Sequence, residues 1–187
     1  MPNWCENGLT VNGEPDIIKK FKEKAKGKSQ NTDLSLQRLY PMPRLLETIS
    51  SPVRIVSQEE YDEAVKKRKK DDVFGLPLTQ QLSKEYKKRY GADNWYDWHT
   101  ENWGTKWDIE AKLISESEKQ LIYTFESAWS PPTVAFAYIA KKFPELHFHL
   151  EFEEPGVGFR GWSEYKNGEW IDDFSEDFVE NDDEEDI

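Results

Sequence analysis

The sequence has one cysteine, Cys5, so no intramolecular disulfide can form and the lone thiol fits a reducing cytoplasm. One thiolate also excludes an iron–sulfur cluster, which generally needs four. Only three histidines occur, His99, His147 and His149. No apolar run approaches the ~20 residues of a membrane span. The opening residues, Met1 to Asn7, lack the basic and apolar stretches of a signal peptide, so a cytoplasmic location is expected. A glycine-rich phosphate loop is missing too. Gly156-Val157-Gly158-Phe159-Arg160-Gly161 has the spacing of a dinucleotide fingerprint, but it falls between expected strands and not at a strand–turn–helix junction.

What the chain does have is aromatic mass. Eight Trp, eight Tyr and ten Phe stand in 187 residues that are otherwise strongly polar, with 33% charged residues. Each large aromatic buries roughly 150–250 Å2, so few are needed to build a core, and global disorder is excluded. Net charge is −12, unevenly placed. Asp172 to Asp186 contains ten acids and no Lys or Arg, which leaves 27 acids against 25 bases upstream. The folded body is therefore nearly neutral, and repulsion of nucleic acid is concentrated near the C-terminus.

Periodicity organises the rest. Asn7 to Asn12 reads as a strand with Leu9 and Val11 on one face. Pro15 opens a helix whose Ile17, Ile18, Phe21 and Ala25 repeat with helical spacing. Leu34, Leu36 and Leu39 suggest a second strand, ending at Tyr40-Pro41. Residues 44–105 change character and read as a helical insertion. One of its helices opens on the capping box Ser57-Gln58-Glu59-Glu60, and another, with Leu82, Tyr86 and Tyr90 as its buried stripe, stops at Gly91.

After the insertion, Trp107, Ile109, Ala111 and Leu113 alternate as a strand, and Gln120 to Ser127 as its antiparallel partner. Ser130 and Pro131 introduce a helix carrying Val134, Tyr138, Ile139 and Ala140. Leu146, Phe148, Leu150 and Phe152 then alternate as a further strand. Asn167-Gly168 between two apolar stretches is the strongest hairpin signal in the chain. This order predicts an α+β fold, a ferredoxin-like split β-α-β sheet with a helical insertion and a C-terminal β-hairpin. The expected divisions are 1–43 and 106–171 for the two halves of the core, 44–105 for the insertion, and 172–187 for an acidic, disordered tail.

Five local strings carry a family resemblance. They are Asn3-Trp4-Cys5-Glu6-Asn7, Trp103-Gly104-Thr105-Lys106-Trp107-Asp108, Trp129-Ser130-Pro131-Pro132, Phe143-Pro144-Glu145-Leu146 and Gly158-Phe159-Arg160-Gly161. Together they resemble the YubB-type, Api-like family of phage and plasmid proteins. The resemblance implies a ferredoxin-like domain and an origin in a mobile element. It implies no activity at any residue.

The residues with chemistry have simpler explanations. His147, His149 and Glu151 alternate on one strand face, and His147 to Glu153 has the spacing of a cupin half-motif, so iron(II) is conceivable. A polar outer strand face accounts for the same pattern. Cys5 with His99 would make a nucleophile and base if the fold brought them together. A small core cysteine is the commoner use. Lys66 to Lys70 close a helix opened by acids, complementing its dipole without any nucleic acid.

No catalytic residue, cofactor or metal is therefore expected. The expected ligand or partner site is Trp103, Lys106, Trp107, Asp108 and Trp129, with Lys106 and Asp108 facing away from Trp107 on a strand. Phe174 and Phe178, i and i+4 among acids, mark a segment that a partner would draw into a helix. The function expected is a mobile-element accessory protein that binds a host protein and no membrane, with nucleic acid disfavoured. An enzyme acting on a nucleotide or other small molecule in an aromatic-lined cleft stays open as an alternative. So does an RNA-binding ferredoxin-like sheet.

Overall fold

A computed structural model describes residues 3–68 and 75–178. In chain order the elements are β1 (Trp4–Asn12), α1 (Pro15–Ala25), the single turn α2 (Leu36–Leu39), β2 (Ile55–Val56), α3 (Gln58–Lys67), β3 (Leu78–Thr79), α4 (Gln80–Tyr90) and α5 (Trp95–Asn102). They continue as β4 (Lys112–Glu116), β5 (Gln120–Ala128), α6 (Thr133–Lys142), β6 (His147–Glu154), β7 (Phe159–Lys166) and β8 (Glu169–Asp177). The chain divides into two compact units, one of residues 1–40 with 103–187, the other of residues 41–102.

The first unit is a six-stranded sheet in the order β4-β5-β1-β6-β7-β8, with every neighbouring pair antiparallel. Its first four strands, with α1 and α6, make the ferredoxin-like arrangement. Each helix crosses over one strand to reach the next. Alternation builds the core. Cys5, Leu9 and Val11 of β1, Leu121, Tyr123 and Phe125 of β5, and Phe148 and Leu150 of β6 all point inward and are buried. Both helices pack on that face. Phe21 of α1 meets Phe148 edge-on at 5.5 Å, and Phe136 of α6 lies 6.5 Å from Phe125 and 6.3 Å from Phe148. The opposite sheet face carries Glu6, Thr124, Glu126, Glu151 and Glu153, all exposed.

The second unit contains α3, α4, α5 and the short parallel pair β2–β3 around Leu46, Ile49, Leu78 and Trp98. Ser57 and Glu60 form the capping box at α3, and Glu63 pairs with Lys67 at 2.8 Å. Asn94 caps α5 through the Asp97 N–H, a helix the sequence reading did not assign.

Several expectations need correction. Leu34 makes only an isolated bridge to Ala111, and Leu36 and Leu39 lie on α2, because their i,i+3 spacing also satisfies a helical turn. The strand expected from Trp107 begins at Lys112, and Lys106 to Asp108 are loop. Leu82, Tyr86 and Tyr90 are half-buried, while the buried position on α4 is Ser83. Val134 is exposed, and Ala135 and Phe136 fill the core from α6 instead. Residues 172–177 belong to β8, so the tail boundary expected at 172 falls inside the sheet. Phe174 is accordingly a strand residue opposite Trp162, not part of an i,i+4 helical pair. Lys69, Lys70 and residues 179–187 lie outside the described residues.

Candidate functional site

The loop after Trp103 is tied to the end of β5 by side chain and backbone. Thr105 donates its hydroxyl to the Ala128 carbonyl at 3.0 Å, and Ser130 donates to the Gly104 carbonyl at 2.5 Å. The Ala135 N–H reaches the Trp103 carbonyl at 3.3 Å, and the Trp129 N–H reaches the Asn3 carbonyl at 2.9 Å. Gly104 takes φ +80°, and a Cβ added there would lie 3.4 Å from the Pro131 carbonyl oxygen, a position that suits glycine. These ties hold one loop, one strand end and the start of β1 together.

The result is an aromatic cluster around one ammonium group. Lys106 Nζ lies 4.6 Å from the centre of the Trp107 ring and 4.7 Å from that of Trp129, both within cation–π range. Trp4 adds a third indole, 6.0 Å from Trp107 and tilted by 41°. All three are partly open to solvent, Trp4 at 43%, Trp107 at 37% and Trp129 at 41%. Trp129 holds φ +70°, in the left-handed region that bulky side chains rarely enter. Strain of this kind costs on the order of 1–3 kcal/mol and persists where the surroundings enforce it.

Of the five residues expected here, the structure brings Lys106, Trp107 and Trp129 together and removes two. Trp103 is buried at 1% exposure, with its indole N–H donated to the Tyr40 carbonyl at 2.9 Å, so it is core. Asp108 accepts hydrogen bonds from the Ser35 hydroxyl and from the Leu36, Gln37 and Ile109 N–H groups. The residue is exposed, but its carboxylate is engaged in capping α2. Sequence reasoning missed Trp4. Its membership depends on the register that sets Trp4 opposite Ala128, which no local pattern announces.

The remaining candidates do not assemble. Cys5 is fully buried, and burial pushes its thiol from 9.0 up to about 12, so it holds no thiolate near neutral pH. His147 and His149 share the outer sheet face, but they pair with different carboxylates, Glu164 at 2.5 Å and Glu151 at 3.3 Å. The His149 ring also stacks on Trp162 at 5.8 Å. Among the described residues no group of three or more potential ligands could hold a metal. No described helix is long and apolar enough to cross a membrane.

Residues 102–187 match the family model described as a ferredoxin-like domain in Api92-like protein. Over 85 residues the chain is 28% identical to the Escherichia coli K12 protein called Uncharacterized protein YubB, a match that takes in 44% of this chain and 58% of that relative. In this second half the chain is similar to YubB and to the Api92-like proteins. A crystal structure of protein api92 from Yersinia pseudotuberculosis superposes with a TM-score of 0.52 at 12% identity, covering 97% of this chain and 99% of that one. That likeness shows the fold, and neither relative's name carries an activity. The family match includes Lys106, Trp107 and Trp129 and leaves Trp4 outside.

Proposed function

We propose that this YubB/Api92-like protein is a non-enzymatic interaction module, an accessory protein of a mobile element that docks on a host protein. The phage and plasmid setting rests on the family resemblance. The docking reading rests on the tryptophan cluster. Three indoles stand partly in water, two of them against one ammonium and the third, Trp4, against the Trp107 ring, on a loop and strand end tied by hydrogen bonds. Tryptophan is the residue type most enriched where binding energy concentrates, and a platform already in place loses little entropy on binding. The burial of Cys5 and the separate carboxylate partners of His147 and His149 support this reading over the enzymatic alternative.

The experiment is affinity capture from host lysate with the wild-type chain and with a Trp4→Ala/Trp107→Ala variant. A saturable partner held by wild type and lost by the folded double variant supports the proposal. A partner retained equally by both, or no saturable partner at all, refutes it.

A further inference from the structure

The face of the first unit's sheet opposite α1 and α6 is not uniformly polar. Register aligns Thr124, Gly8, Glu151, Trp162 and Phe174 in one row across β5, β1, β6, β7 and β8. Gly8, second in the row, leaves a gap between Thr124 and Glu151, and the row becomes the floor of a shallow groove of about 610 Å3. One bank is aliphatic, with Ile122 and Ile114, the latter 63% exposed beside the β4 bulge. The other bank is Trp162 with Phe174, the latter 47% exposed. β5 and β7 are three strand spacings apart, ~14 Å, which accepts a helix about 10–12 Å across.

The groove is acidic. Glu6, Glu151, Glu153 and Glu176 line it against one base, Arg160. Arg160 is already paired to Glu176 at 2.7 Å, so its charge is locally answered. A nucleic-acid backbone or an acidic segment laid here would meet the carboxylates of Glu6 and Glu153 and that of Glu151, which His149 approaches at 3.3 Å. A chain bearing both apolar and basic side chains would satisfy the banks and the charge together.

We propose that this face binds a basic amphipathic helix of a partner protein, its apolar stripe over Gly8 between the Ile122 and Trp162 banks and its Lys or Arg side chains on Glu6, Glu151 and Glu153. The site does not use Lys106, Trp107 or Trp129, and it stands or falls separately from the tryptophan cluster.

Gly8 makes the test selective. A Cβ built there meets nothing closer than Glu151 Oε2 at 3.8 Å, and its backbone is ordinary strand, so Gly8→Val fits the free protein while filling the groove floor and leaving the charge unchanged. The probe is a Leu/Lys amphipathic peptide of about 18 residues, five helical turns. A Leu/Glu peptide of equal length is its counterpart. Each is titrated into the full chain, and binding is read from backbone amide NMR shifts. The expected result is saturable shifts at Gly8, Thr124, Glu151 and Trp162 with the Leu/Lys peptide only. Gly8→Val weakens the binding about tenfold or more, and Glu151→Gln/Glu153→Gln weakens it and flattens its salt dependence. If Gly8→Val fails to fold, Gly8→Ala replaces it, with the same direction expected. Absence of saturable shifts overturns the proposal. So does equal response to the Leu/Glu peptide, or undiminished binding by the folded Gly8 variant, which would reduce the effect to general attraction toward an acidic chain.

Discussion

The Asp108 carboxylate accepts the Leu36 N–H at 2.6 Å across 72 residues of sequence. A residue expected at a ligand site is instead the tie that caps α2 and anchors the segment leading into β4. Charge-assisted bonds to backbone N–H groups are roughly twice as strong as neutral ones. Asp108→Ala is therefore expected to cost about 2–3 kcal/mol in urea unfolding. A loss below about 0.5 kcal/mol would remove Asp108 from the scaffold.

Trp129 gives the opposite prediction. Its left-handed backbone is costly for an indole and free for glycine. Trp129→Gly relieves that strain while discarding the Lys106 cation–π contact, so stability should change by no more than about 1 kcal/mol. Partner capture should fall with it. A variant that unfolds, or that binds as wild type, would contradict a functional use for the strain.

Cys5 sets an alkaline limit. Its folded pKa, about 12, lies above the ordinary 9.0, so the native state keeps its proton where the unfolded chain has released it. The contribution is complete below about pH 9, declines by about 1.4 kcal/mol per pH unit between the two values, and levels off above the folded one. Burial raises Tyr123 and Tyr165 in the same direction, which steepens the decline. Urea unfolding of Cys5→Ala from pH 8 to 11 should show a slope shallower by about that amount. Ellman's reagent should leave the native thiol untouched at pH 8 and react with it fully in guanidinium. Rapid native reaction would place Cys5 at the surface.

Truncation separates β8 from whatever follows it. Residues 172–177 pair with Phe159 to Glu164 of β7, and the Phe178 N–H reaches the Gly158 carbonyl at 2.7 Å. A chain ending at Ile171 loses two-thirds of an edge strand and should unfold earlier, by ~2 kcal/mol or more, than one ending at Phe178. Equal midpoints would contradict the strand.

How much of this was legible follows from how local each signal is. Alternation in β1, β5 and β6, the Asn167-Gly168 hairpin and the Ser57–Glu60 box all depend on neighbours in sequence, and all are found in the structure. Leu34, Leu36 and Leu39 misled because three leucines fit two periodicities, and Ala111, 77 positions after Leu34, decides which holds. The tryptophan cluster was legible only in part. Lys106, Trp107 and Trp129 stand in recognisable strings, but Trp4 joins them through sheet register and Trp103 leaves them for the Tyr40 carbonyl. The groove around Gly8 had no local signature, since its row is assembled from five strands.

The most direct measurement is site-specific photo-crosslinking with p-benzoylphenylalanine at Trp107, compared with the same probe at Glu85, an exposed position on α4. In host extract the Trp107 probe should give a discrete conjugate that excess unlabelled protein abolishes, and the Glu85 probe should give none. Identical products from both positions, or none from Trp107, would contradict a docking role for the tryptophan cluster.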